Sequence, residues 1–300
     1  MMIPVIDMKK FPGQYTEMLR ASQEWGCFRV VNHGIPNTLL QEMKSVVKSL
    51  FDLPLEIKRR NKDAIPGSGY QQPNEANPLY EALGLYDIAS SDVVQEFCSL
   101  LCVSTHQRDV IGRYARAIHG LGMEIAGKIG ESMGLGDAFC KGWASQFRIN
   151  KYHFTPQSVG TTGVQIHTDS GFLTILQEDE NVGGLEVMDH DSSSFVAVDP
   201  LPSSLLINFG DIATAWSNGK ICNVKHRVQC KEETIRFSIA TFLLGPKDDQ
   251  QVEAPSELID AQHPRLFLPF TIKDYRKLRE SKEMHAGEAL SLVRANATVT

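Results

Sequence analysis

Apolar residues recur at helical spacing in "PNTLLQEMKSVVKSLFDLP", which begins at Pro36 and stops at Pro54. The same period runs through Thr105 to Leu135, although several glycines there argue against one unbroken helix. Between these helices the stretch from Ile65 to Gly84, rich in Gly, Pro, Asn and Tyr, reads as a long ordered loop, a kind of segment that often carries function. From about Ser145 the pattern changes to short runs at 8–12 residue spacing: "SQFRINKY", "VQIHT", "FLTILQ", "GLEVM", "SFVAV", "SLLINF", "NVKHRVQC" and "TIRFSIATF". Turn residues separate them, as in an antiparallel sandwich, barrel or jelly roll. A charged helix is predicted from about Lys273 to Val293. The expected fold is α+β, a jelly-roll β core with helices packed around it. No linker divides the chain, so residues 1–300 read as one domain: a mainly helical region over 1–144, the β core over 145–245, and a C-terminal loop and helix over 246–300.

Composition narrows the class. The 300 residues are 42% hydrophobic and 22% charged, ordinary for a globular protein with a sizeable core. A formal charge of −6 disfavours general attraction to nucleic acid or anionic membranes. No run approaches the ~20 apolar residues of a membrane span. The leading "MMIPVIDMKKFPG" lacks the form of a secretory signal. Six cysteines without CxxC pairing then suggest reduced thiols and a cytoplasmic setting. A glycosylation sequon at Asn296 has no meaning without secretion. Oligomeric state is left open.

The chemistry centres on "GVQIHTDSGFLTIL". His167 and Asp169 stand at i and i+2, on one side of an extended strand. In "NVKHRVQC", Val224, His226, Val228 and Cys230 share the apolar face of an alternating strand. A histidine there must find a partner. It either bonds a backbone carbonyl or joins His167 and Asp169 as third ligand. Two histidines and one carboxylate describe the facial triad of non-haem Fe(II), and zinc hydrolases use the same ligand types. The next run places Arg236, Ser238, Ala240 and Phe242 on one face, ten positions after His226, so a tight turn is expected to set the two strands side by side. An inward Arg236 needs an anion. Either a protein carboxylate serves, or a dicarboxylate cosubstrate whose far end rests on Arg236 and Ser238 while its near end chelates the metal. In "QFRINKY", Arg148, Asn150 and Tyr152 form a polar stripe opposite Phe147 and Ile149. The stripe faces solvent, or, if the apolar side packs under the helices, it lines the barrel interior.

Together with these, "IPVIDM", "EWGCFRVVNHGIP", "HTDSGFLTILQ", "GGLEV", "NFGDIATAWSNGK", "VKHRV" and the "RFS" of Arg236 to Ser238 resemble the plant-type 2-oxoglutarate- and Fe(II)-dependent dioxygenases in order and spacing over essentially the whole chain. That resemblance implies a distorted double-stranded β-helix, with His167, Asp169 and His226 on iron and Arg236, Ser238, Tyr152 and Asn150 on 2-oxoglutarate. It also implies O2 as second cosubstrate and ascorbate as reductant. One departure is "NKYHFTP" where the family often has "NYYPPC"; Tyr152 survives, while His153 and Phe154 are free to shape a different pocket. Segments such as "PGSGYQQPNEANPLYEALGLYD" and "FLLGPKDD" resemble the auxin-oxidising members, which implies oxidation of indole-3-acetic acid to 2-oxindole-3-acetic acid. The same chemistry on a gibberellin, phenolic or alkaloid is the alternative, and a non-catalytic jelly-roll binding protein or zinc hydrolase a remoter one. Neither of the last two needs Arg236, Ser238 and Tyr152 beside the triad. An indole carboxylic acid needs flat apolar walls and a cation. Tyr70, Tyr80, Phe154 and Phe242 are the candidate walls, and Arg148 the candidate cation.

Overall fold

The computed structural model describes residues 2–75, 77–189, 192–247 and 249–295; the Asn296 sequon lies outside them. Two sheets face each other. The larger is built from β1 (Val5–Asp7), β2 (Cys27–Val31), β3 (Tyr80–Tyr86), β4 (Ala144–His153), β6 (Leu173–Gln177), β9 (Leu205–Phe209) and β11 (Ile235–Gly245), in the order β1-β2-β9-β6-β11-β4-β3. The smaller holds β5 (Thr162–His167), β7 (Leu185–Met188), β8 (Phe195–Ala197) and β10 (His226–Gln229), in the order β5-β10-β7-β8. Apart from the parallel β1–β2 pair the ladders are antiparallel, and the whole is a distorted jelly roll.

Helices α1 (Tyr15–Glu24), α2 (Asn37–Phe51), α3 (Leu55–Lys58), α4 (Ser91–Leu100) and α5 (Thr105–Ser132) belong to the N-terminal half, and α2 and α5 pack on the outer face of the large sheet. Helix α5 is unbroken despite its glycines. A capping box of Ser104 with Gln107 starts it. One of its glycines, Gly130, sits where a Cβ would lie 2.7 Å from the Gly136 carbonyl oxygen, so close packing accounts for a residue that costs about 1 kcal/mol in helix propensity. Phe147 and Ile149 of β4 join this outer core, with the Phe147 ring 5.9 Å from that of Tyr114 in α5. The polar stripe Arg148, Asn150 and Tyr152 therefore turns inward. A second apolar cluster, including Tyr152, Phe154, Leu185, Val187 and Val228, fills the space between the sheets at one end.

Three expectations change. Strands β10 and β11 do not form a hairpin: β10 pairs with β5 and β7, β11 with β4 and β6. The chain crosses between sheets through residues 230–234, so the two strands lie in opposite walls. The predicted loop over 65–84 ends in strand β3, which pairs with β4 along its length. The C-terminal helix α7 (Ile272–Ser281) stops twelve residues short of Val293, with a separate 3-10 turn at Glu288–Val293, while α6 (Asp211–Trp216) follows β9. No helix among the described residues is long and apolar enough to cross a membrane.

A candidate metal centre between two arginine-lined cavities

His167 ends β5 and His226 begins β10, and the two are direct cross-strand partners. Antiparallel pairing thus sets their rings 4.1 Å apart between centroids. Asp169, two residues on, brings Oδ1 to 3.9 Å from Nε2 of each. Ligand atoms of the three lie within 4.8 Å of one another, the sort of cluster that can hold one ion. The tautomers fit as well. His167 Nδ1 lies 2.8 Å from the Gln165 carbonyl oxygen and His226 Nδ1 lies 3.2 Å from that of Val224. A carbonyl only accepts, so each Nδ1 carries the proton and each Nε2 lone pair is free. Burial above all, and then the neighbouring His226, push His167 down to about 4, so it is neutral at pH 7, the form a metal requires. Burial pushes Asp169 up, but the fields of the two histidines, the Thr174 hydroxyl bonded to Oδ2 and Arg279 outweigh it, leaving the carboxyl below its usual range.

Two cavities meet at this cluster. One, about 270 Å³, runs between the sheets to Tyr152, Arg236 and Ser238. Register puts Arg236 opposite Tyr152 and Ser238 opposite Asn150. Asn150 Nδ2 donates to Ser238 Oγ at 3.2 Å, and Tyr80 donates its hydroxyl hydrogen to Asn150 Oδ1 at 2.7 Å. Arg236 is only 1% exposed, lies 5.2 Å from the Tyr152 ring centroid, and its Nε has no hydrogen-bond partner among the described residues. Glu178, whose field it feels, is already paired with Arg29 at 2.5 Å. A buried guanidinium with an unused donor suits an anionic ligand, and a carboxylate matches its fork. Asn208 also lines this cavity, with its Oδ1 unbonded among the described residues.

The other cavity, about 370 Å³, opens on the far side of the cluster and shares Arg148, His167, Asp169 and Phe242 with the first. Arg148 and Gln146 reach it from β4, Arg276 and Arg279 from α7. Burial, then Arg148 and Arg279 beside it, hold Arg276 below its ordinary pKa against the opposing field of Glu280, which also lines this cavity. Loop carbonyls partly answer this crowding of positive charge: Arg148 and Gln146 donate to the Gly67 oxygen and Arg276 to that of Pro66. The loop can reach so far in because Gly84 on β3 leaves room; a Cβ there would lie 2.4 Å from the Ser68 carbonyl oxygen.

Of the residues singled out by sequence, the triad, Arg236, Ser238, Tyr152, Asn150, Arg148, Phe242 and Tyr80 all line these cavities. Two do not. The Tyr70 hydroxyl donates to Glu81 on the outer side of β3, where Lys58 lies over its ring. Phe154 is buried beside Tyr152 and Gly163 in the second core cluster. Arg276, Arg279, Gln146, Asn208 and Thr174 went unseen. Two carry a signal in the sequence: Gln146 continues the period-two stripe of Arg148, Asn150 and Tyr152, and on α7 Tyr275 and Arg279 share a helical face at i and i+4.

Comparison with known proteins places the chain. Residues 143–245 match the model of the 2OG-Fe(II) oxygenase superfamily, and residues 3–87 that of the N-terminal region described as non-haem dioxygenase in morphine synthesis. The 2-oxoglutarate-dependent dioxygenase DAO of Oryza sativa subsp. indica is 53% identical over 298 residues, covering 98% of this chain and 99% of that protein. The crystal structure of the rice dioxygenase for auxin oxidation superposes with a TM-score of 0.91 at 52% identity, covering 98% of this chain and 100% of that one. The 2-oxoglutarate complex of dioxygenase for auxin oxidation 1 from Arabidopsis thaliana gives 0.86 at 58% identity, over 88% of this chain and 100% of that one.

Proposed function

The chain belongs to the 2OG-Fe(II) oxygenase superfamily, a 2-oxoglutarate-dependent dioxygenase, and on that premise we propose that it oxidises indole-3-acetic acid to 2-oxindole-3-acetic acid. The observation that carries the reading is the pair of cationic ends flanking one metal cluster: a dioxygenase of this kind needs one for its cosubstrate, and a second serves an acidic substrate. His167, Asp169 and His226 would hold Fe(II). Arg236 would take the far carboxylate of 2-oxoglutarate, with Ser238 and the Tyr152 hydroxyl donating to the same group and Asn150 holding Ser238 in place. With O2 and 2-oxoglutarate, bound iron supplies the oxidising power, one oxygen atom going to the substrate and one to succinate as CO2 is lost.

The protein's own part is orientation and exclusion of water. Arg148 and Arg276 would take the substrate carboxylate, exchanging loop carbonyls for a charged partner. Phe242 and Tyr80 give the flat surfaces an indole ring needs. Support for the substrate also comes from the printed names of the rice and Arabidopsis relatives. Six cysteines without a disulfide suit a reducing, cytoplasmic setting.

The test is turnover of purified protein with Fe(II), ascorbate and 2-oxoglutarate, measuring succinate with and without indole-3-acetic acid. Succinate that depends on the indole, matched by a product heavier by one oxygen, is the expected result. Slow succinate release unaffected by the indole would discard auxin and direct attention to gibberellins, phenolics or alkaloids.

A further inference from the structure

One buried ion pair is tied by hydrogen bonds to every segment that carries a ligand of the cluster, although neither side chain bonds a ligand side chain. Asp211, fully buried at the start of α6, receives a hydrogen bond from Arg279 of α7 on Oδ2. Tyr275 donates to the same oxygen at 2.7 Å, and Asn223 Nδ2 donates to Oδ1 at 2.6 Å. Asn223 leads directly into the strand of His226. From the other side, Arg279 Nη2 donates to the Thr168 carbonyl oxygen at 2.8 Å and to that of His285 at 2.9 Å, while Nη1 reaches Thr168 Oγ1 at 3.2 Å. Thr168 stands between His167 and Asp169, and its own N–H donates to the His285 carbonyl oxygen at 2.9 Å. The Asp211 N–H closes the ring, donating to the Asp169 carbonyl oxygen at 2.9 Å.

The triad needs this. β5 is an edge strand of the small sheet, and the chain leaves it at His167, so Thr168 and Asp169 have no ladder of their own. His226 is the first residue of a four-residue strand. Two strand ends, with Asp169 beyond the ladder, must nevertheless hold three ligand atoms at fixed separations. Arginine suits the task because its rigid fork serves several acceptors at once.

We propose that Asp211 and Arg279, with Asn223, are positioning residues that set the spacing of His167, Asp169 and His226, so that the C-terminal helix controls metal affinity. This rests on the reading of the triad as the metal centre. Groups behind the ligands typically alter affinity by about 10–100-fold when removed.

The test measures Mn(II) binding to full-length protein stripped of metal, counting free Mn(II) by its electron paramagnetic resonance signal, with the melting temperature of the metal-free protein recorded alongside. Arg279→Lys keeps a positive charge beside Asp211 but cannot reach Thr168 and His285 together; its Kd should rise about tenfold. Asn223→Ala leaves the ion pair intact and cuts only the tie to the His226 segment; its Kd should rise about threefold, below the full loss because one tie of several is cut. A lower melting temperature with both Kd values within a factor of about 1.5 of the parent's would make the network merely structural and overturn the proposal. His226→Ala separates the premise: if it binds Mn(II) like the parent, the triad reading fails instead.

Discussion

Replacing Arg236 with methionine should have opposite effects on two quantities. The residue is 1% exposed and its Nε has no hydrogen-bond partner among the described residues, so in the free protein its guanidinium bears a desolvation cost without an ion-pair partner of its own. Methionine fills similar space without that cost, so the metal-free melting temperature should stay level or rise. Binding of 2-oxoglutarate should collapse. Truncating one partner of a buried, hydrogen-bonded charge pair costs roughly 2–5 kcal/mol. Ser238 and Tyr152 remain as donors, which favours the lower half of that range. About 3 kcal/mol, at 1.4 kcal/mol per decade, is a Kd roughly 150-fold weaker. Calorimetric titration of Mn(II)-loaded protein with 2-oxoglutarate reads this without turnover. A Kd within threefold of the parent's would remove Arg236 from the cosubstrate end. A melting temperature several degrees lower would mean that the guanidinium is satisfied by the protein itself, and the reasoning from its unused donor would be wrong.

Phe172 is fully buried among Phe139, Trp143, Phe209 and Trp216, so Phe172→Ala should cost roughly 3–5 kcal/mol in urea unfolding; a loss below about 1 kcal/mol would mean the cluster repacks freely. Burial pushes the Cys27 thiol up to about 12, whereas Cys102 is exposed, so iodoacetamide at pH 8 should alkylate Cys102 first and reach Cys27 only on unfolding, as peptide mass mapping would check. A methyl group at Gly84 has nowhere to go but into the Ser68 main chain, so Gly84→Ala should lift the loop and speed tryptic cleavage after exposed Lys62 several-fold; an unchanged rate would show that strand β3 yields instead.

Much of the β core was legible because its strands are short, alternate cleanly and are bounded by turn residues. The inward stripe of β4 could be assigned only conditionally, since alternation gives two faces without saying which one meets the helices. β2 escaped: "CFRVV" is buried on both faces and carries no alternation. The pairing of β10 and β11 departs from the expected hairpin because a short polar connection serves a hairpin and a sheet-to-sheet crossing equally well. The triad survived that error, since His226 meets His167 through β5 and needs no contact with β11. The inward role of Arg276 and Arg279 is hidden for a different reason. A helix as polar as α7 reads as solvated, and only its seat over the cluster reveals that two of its cations point inward.

The loop carbonyls on Arg148 and Arg276 have a thermodynamic consequence. If Arg148 and Arg276 take the substrate's carboxylate, these contacts would make the protein its own competitive inhibitor: an incoming acid would gain the guanidiniums only by evicting the Gly67 and Pro66 oxygens. Measured affinity is then the intrinsic affinity diluted by the fraction of molecules whose arginines are released. A tenfold preference for the latched arrangement weakens apparent binding about tenfold, or about 1.4 kcal/mol. The same preference would speed departure, because the returning carbonyls would displace a product that keeps its carboxylate. Residence time at this site would thus be set by the Pro66 and Gly67 latch rather than by the reacting atoms.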